Sequence, residues 1–151
     1  MIALLAAGCG KFTVASLVES GNTVSPQGRL LWNATAKLTP LNAKSGGGFV
    51  ELRLYEDGTA IPTVRINLPP PTNVHYEAWL TNEDLTVFSN IGPLIEESQG
   101  TYYLGITTLG TDESFLELTS VLISRERTGQ FAEKPTDTLL FGTLKITSEN
   151  N

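Results

Sequence analysis

Cysteine and histidine each occur once in this chain, as Cys9 and His75. A lone cysteine excludes an intrachain disulfide framework, so the folded state has to be held by packing and hydrogen bonds. A lone histidine excludes the His pairs of zinc and iron sites, and His75 follows a proline run at the start of a strand, with no nucleophile-elbow motif to serve. The acidic pairs Glu96-Glu97 and Asp112-Glu113 lack the alternating spacing of calcium loops. Gly46-Gly47-Gly48 neither follows a strand nor opens a helix, so it reads as a flexible loop and not as a phosphate cradle. Positive charge is also scarce: 10 Lys and Arg stand against 16 Asp and Glu, giving a net charge of −6 with no basic cluster. That field repels phosphate backbones, so no nucleic-acid partner is expected. No stretch approaches the ~18 consecutive apolar residues of a membrane span. With no assembled nucleophile, base or ligand set, the expectation is a protein that is not an enzyme and holds no cofactor and no metal.

What is present points to one folded domain behind an N-terminal address. Hydrophobic residues make up 40% and charged residues 17% of 151 positions, the balance of a globular chain long enough to bury a core. The apolar run Ile2-Ala3-Leu4-Leu5-Ala6-Ala7-Gly8 ends at Cys9. Small residues before a single cysteine resemble the lipobox of bacterial lipoproteins, in which a peptidase cuts before the cysteine and the thiol takes a diacylglycerol. The resemblance implies a signal remnant over residues 1–9, lipidation at Cys9, and membrane anchoring outside the cytoplasm through that lipid. Gly21-Asn22 and Pro26-Gln27-Gly28 mark residues 10–32 as a linker, residues 33–147 as the domain, and 148–151 as a tail. Asn33-Ala34-Thr35 fits the N-glycosylation pattern, which the bacterial reading of Cys9 makes irrelevant.

From Ala34 onward, apolar and polar side chains alternate in short segments separated by Gly, Pro, Asn and Asp. Ala34, Ala36 and Leu38 share one face, and so do Val50, Leu52 and Leu54; Glu56-Asp57-Gly58-Thr59 then turns the chain into Thr63–Leu68, which pairs with the second strand. Further strands are expected over Tyr76–Thr81, Thr86–Asn90, Thr101–Thr107, Val121–Arg125 and Leu139–Ile146. The helical turn expected is 113–118, capped by Asp112. About eight short strands without helical periodicity imply an all-β fold, an antiparallel two-sheet β-sandwich of the immunoglobulin-like kind. Leu52, Leu54, Val64, Ile66, Leu104 and Ile106 are the expected core.

The segment Leu68-Pro69-Pro70-Pro71-Thr72-Asn73-Val74-His75-Tyr76-Glu77-Ala78-Trp79-Leu80 is a stiff extended crossover into an aromatic strand. It stands after Ala36-Lys37-Leu38-Thr39-Pro40-Leu41 and Gly47-Gly48-Phe49-Val50-Glu51-Leu52. Val121–Glu126, Pro135-Thr136 and Leu139-Leu140-Phe141-Gly142 follow it. In that order these segments resemble the extracytoplasmic C-terminal domain of anti-sigma-K factors over residues 34–145. The resemblance implies a β-sandwich outside the cytoplasmic membrane that acts by protein contact. The sigma-binding helical module and membrane span that precede this domain in the family have no counterpart in this sequence.

Tyr76, Trp79 and Tyr103 are the candidate contact residues, because an exposed tyrosine and tryptophan patch is the usual hot spot of a binding face or a sugar-stacking platform. Tyr76 and Trp79 lie an odd number of positions apart and point to opposite faces of one strand. The expected function is therefore a non-enzymatic, membrane-anchored interaction or sensor domain whose partner is a protein or an envelope component. The alternative is a carbohydrate or small-ligand binding module of the cell envelope.

Overall fold

The computed structural model describes residues 28–149 apart from Asp112 and Phe131, with the side chains of Glu113 and Ser114 also undescribed. Cys9, the leader, most of the linker and the Asp112 cap lie outside the described residues. Among the described residues there are ten strands: β1 Leu30–Pro40, β2 Gly47–Tyr55, β3 Thr59–Asn67, β4 Val74–Thr81, β5 Phe88–Ser98, β6 Thr101–Leu104, β7 Leu109–Gly110, β8 Ser120–Arg127, β9 Asp137–Thr143 and β10 Lys145–Glu149. One five-residue 3-10 turn covers Glu113–Glu117. All pairings are antiparallel and run in the order β1-β2-β3-β6-β5-β4-β8-β9. β9 then pairs back onto β1 through Leu140 opposite Pro40 and Phe141 opposite Thr39. The eight strands thus close into a barrel, with β7 lying beside β3 and β10 beside β1.

Alternation decides which side chains fill it. Ala36, Val50 and Val64 lie side by side on β1, β2 and β3, and so do Leu38, Gly48, Ile66 and Tyr102 one row on. All of these except Gly48 join Ala78, Leu80, Val121, Ile123 and Leu140 from the opposite wall in one buried cluster. Pro62 cannot donate to a ladder, and it falls in the gap between the β7 pairing at Thr59 and Ala60 and the β6 pairing that begins at Arg65. At the hairpin after β2, Gly58 takes φ 84°, and the Asp57 carboxylate accepts from the Thr59 N–H at 2.8 Å. Glu56 at the same turn accepts from the Arg29 N–H at 2.8 Å and its guanidinium, which fastens the start of β1. The backbone N–H foremost, and then the guanidinium charge, hold the Glu56 carboxyl below its ordinary range.

The all-β expectation and the β2–β3 hairpin hold. Instead of two separate sheets, the strands form a closed ring, because β6 bridges β3 to β5 and β9 bridges β8 to β1. Gly47 and Gly48, expected in a flexible loop, are the first residues of β2. A Cβ on Gly48 would stand 2.5 Å from the Arg65 carbonyl oxygen and 2.8 Å from Ile66, so glycine is what lets the β3 backbone and the Ile66 side chain close on this position. The fifth strand runs from Phe88 to Ser98 and not over 86–90. The segment expected over 139–146 is broken at Leu144 into β9 and β10. Of the expected core, Leu52, Val64 and Ile66 are buried, while Leu54 and Leu104 are partly so. Ile106 is 48% exposed, because β6 stops at Leu104 and Gly105 ends the alternation that would have turned it inward.

Gly142 stands where the ring closes. A Cβ there would collide with the Lys37 carbonyl oxygen and lie 3.1 Å from Leu38. Gly142→Ala should therefore cost about 1–3 kcal/mol in urea unfolding. Leu52→Ala or Ile66→Ala should cost about 2–5 kcal/mol, and Ile106→Ala under about 0.5 kcal/mol. A neutral Gly142→Ala variant would show that β1 and β9 are not held in this close approach.

Candidate functional site

The central strands β4 and β8 are buried on both faces. Tyr76, Ala78 and Leu80 line the barrel interior. Facing the other way are Glu77, Trp79 and Thr81, beside Ser124, Leu122 and Ser120 of β8. Trp79 is 1% exposed, so neither it nor Tyr76 is available for stacking on a ligand. Its indole N–H donates to the Ser124 hydroxyl at 2.8 Å, and Ser124 donates to Glu126 at 2.6 Å. Glu126, also buried, further accepts from the backbone N–H and the hydroxyl of Thr136, at 2.9 and 2.6 Å. Beside this chain, Glu77 accepts from Asn90 at 3.0 Å and meets His75 Nε2 at 3.4 Å.

Trp79, Ser124, Glu126 and Thr136, and beside them Glu77 with Asn90 and His75, spend their hydrogen-bonding capacity on one another, while the Ser120 hydroxyl has no partner among the described residues. The Ser124 proton is directed at a carboxylate, and His75 faces Glu77, so serine and imidazole do not form a nucleophile–base pair. What the row does is bind β8 to Thr136 in the segment leading to β9, with each buried carboxylate satisfied as burial demands. Among the described residues, no group of three or more His, Cys, Asp and Glu is placed to hold a metal ion. None of their helices is long and apolar enough to cross a membrane.

Tyr103 lies elsewhere, half-buried on the outer face of the opposite wall. Registers place Lys37 beside Phe49, Phe49 beside Arg65, Arg65 beside Tyr103, and Tyr103 beside Ile95. Five adjacent strands thus present one straight outward row about 19 Å long, at ~4.8 Å per strand. Phe49 is 53% and Ile95 47% exposed, and Arg65 pairs with Glu97 at 2.5 Å. Two large apolar side chains set outward beside a tyrosine are the sort of exposure that marks contact surfaces. Phe49 and Ile95 were missed as site residues in the sequence. The signal that finds Phe49 is its phase, since Val50 and Leu52 take the inward face of β2 and leave it outside.

A second feature opens at one end of the barrel, a groove of about 680 Å³. One wall is Asn42–Ser45 of the β1–β2 connection and the other is the Pro69–Thr72 crossover. Leu68, Val74, Tyr76, Arg125 and Leu139 complete the lining. Tyr76 fixes this end: its hydroxyl donates to the Pro69 carbonyl, and its ring meets that of Tyr102 edge-on, with centroids 5.0 Å apart.

Burial raises both phenols above their ordinary range, and each is pushed further by a smaller electrostatic effect, of Tyr102 on Tyr76 and of Glu96 on Tyr102; Arg125 opposes the rise in Tyr76. A phenol raised on folding is stabilising below the unfolded value of about 10 and loses that contribution as pH climbs through the folded value. The urea midpoint should therefore fall as pH rises above about 10, and Tyr76→Phe should flatten the fall. An alkaline limb identical in the variant would assign the transition to other groups. The Tyr102 hydroxyl is buried without a hydrogen-bond partner among the described residues. Tyr102→Phe should accordingly be neutral or stabilising at pH 7.

No protein-family model matches this chain, nor does any curated protein or solved structure, so its function has to be read from its own surfaces.

Proposed function

We propose that this chain is a non-enzymatic binding domain of the bacterial cell envelope, held outside the cytoplasm by a lipid on Cys9 and engaging a protein partner through the row Lys37, Phe49, Arg65, Tyr103 and Ile95. The observation that carries the reading is that row: exposed Phe49 and Ile95 in line with Tyr103 across a closed sheet, with Lys37 at one end and Arg65, paired with Glu97, within it. A closed sheet holds such side chains in place before binding, which lowers the ordering cost of association. Aromatic and arginine side chains are the types that dominate interface energetics. The resemblance to the anti-sigma-K C-terminal domain supports the same role, a sensor or interaction domain acting by contact. In this reading the ring is a sandwich whose two four-stranded faces, β1-β2-β3-β6 and β5-β4-β8-β9, are joined at both edges.

A carbohydrate reading has one observation in its favour. Phe49 and Tyr103 stand two strands apart, about 9.6 Å, with Arg65 between them, so two rings lie along one line with a hydrogen-bond donor at its middle.

With its authentic start, the protein should partition into the detergent phase, and Cys9→Ala should move it to the aqueous phase. Equal partitioning of both would remove the anchor. A photoreactive benzoylphenylalanine replacing Phe49 should give a discrete crosslinked protein product in cells, while the same group replacing Ser89, exposed at the other end of β5 from Ile95, should give none. Products at neither position, with retention on immobilised polysaccharide lost in Phe49→Ala and Tyr103→Ala, would favour the carbohydrate reading.

A further inference from the structure

The groove at the barrel end is a different surface from the outward row, and its chemistry differs from that of the molecule around it. In a chain of net charge −6, its lining contains Lys44 and Arg125 and no acidic side chain. Arg125 places Nε at 2.8 Å and one terminal nitrogen at 2.5 Å from a single Asp137 oxygen, which offsets one of the two positive charges. Lys44 makes no ion pair among the described residues. The local balance of Lys44, Arg125 and Asp137 is thus one positive charge beside walls of Pro69, Pro70, Pro71, Leu68, Val74 and Leu139.

Both walls are fixed before anything binds. The Leu41 N–H donates to the Leu139 carbonyl at 2.8 Å, and the Asn42 amide donates to the Thr138 hydroxyl at 2.8 Å and to its carbonyl at 3.0 Å. Across the groove, the Tyr76 hydroxyl holds Pro69, and the Leu68 N–H donates to the Gly100 carbonyl at 3.0 Å. Three consecutive prolines have little backbone freedom left to lose. The volume falls within the usual span of small-molecule sites, about 300–1,000 Å³. A preformed cleft with an apolar proline wall facing the polar Asn42–Ser45 segment, and one net cation at its rim, is complementary to an apolar body carrying one negative charge.

We propose that this groove binds a small amphiphilic monoanion, an aromatic or branched aliphatic body bearing a single carboxylate or sulfonate, with the body against the proline wall and the anion at Lys44. Arg125 supplies the second donor, through the part of its guanidinium not engaged by Asp137. A dianion such as inorganic phosphate would carry more charge than the rim offsets.

The probes are 8-anilinonaphthalene-1-sulfonate, a monoanion on an apolar body, and N-phenyl-1-naphthylamine, the same body without the sulfonate. The sulfonate should bind the folded protein at one site, with amide shifts confined to residues 42–45, 68, 72–76, 125 and 139 in nitrogen-proton spectra. Lys44→Gln should weaken it about fivefold while leaving the neutral probe unchanged, as loss of one exposed charge contact requires. Lys44 is exposed and unpaired, so the variant should keep the wild-type melting temperature. Thr72→Trp, which sets bulk into the groove, should weaken both probes. Equal binding of both probes to wild type, no response to Lys44→Gln, or shifts centred on Phe49 and Tyr103 would each overturn the proposal. Fluorescence that appears only once cooperative unfolding is lost would also overturn it.

Discussion

Closure of the sheet between β1 and β9 is the constraint on which the rest of the structure depends. β9 would otherwise be an edge, and so would β1 beyond Thr35, where its pairing with β10 ends, and an open edge exposes a row of unpaired backbone groups. Only a short contact does the closing, Pro40 with Leu140 and Thr39 with Phe141, next to the point where Gly142 passes the Lys37 carbonyl. That proximity brings Leu139 and Asp137 to the end of the barrel, and with them the wall and the counter-charge of the groove. The outward row on β1, β2, β3, β6 and β5 depends on it too, because the twist of a closed ring fixes which side chains of adjacent strands stand in line.

The polar row on β4 and β8 shows how such a ring tolerates a strand covered on both sides. A strand with two buried faces is usually apolar throughout, yet β4 and β8 carry Glu77, Thr81, Ser120, Ser124 and Glu126 in buried positions. The arrangement is stable because Trp79, Ser124, Glu126 and Thr136 satisfy each other in sequence and Asn90 serves Glu77. Burial without partners would cost far more than these bonds contribute. Ser120 is the exception, its hydroxyl buried without a hydrogen-bond partner among the described residues.

Much of the fold was legible because period-two alternation and turn residues are local signals. Ala34, Ala36 and Leu38, then Val50 and Leu52, then Val64 and Ile66 all declare their faces, and Gly58 marks its hairpin. Closure was not legible, because the pairing of Pro40 with Leu140 links positions far apart in the chain and leaves no local pattern. Trp79 was ambiguous for a similar reason: alternation says that it faces away from Tyr76, but not that the outward side is covered as well. Phe49 was readable by phase, whereas the line it forms with Tyr103 and Ile95 exists only through the order β2-β3-β6-β5. The groove was least legible of all. Lys44, Arg125 and the prolines come from three separate connections and strands, and nothing in any one of them points to the others.

The order in which the chain is made acquires a meaning from this topology. Synthesis delivers β1 first and its closing partner β9 almost last, roughly a hundred residues later, so the partial sheet must wait with β1 open while most of the sequence emerges. At about 5–20 residues per second that interval lasts several seconds or more, long compared with the time a hairpin takes to form. During it, the sheet begun by β1, β2 and β3 keeps its β1 margin free. The closing strand of a second copy has the same sequence, so it fits that margin as well as the chain's own β9 does.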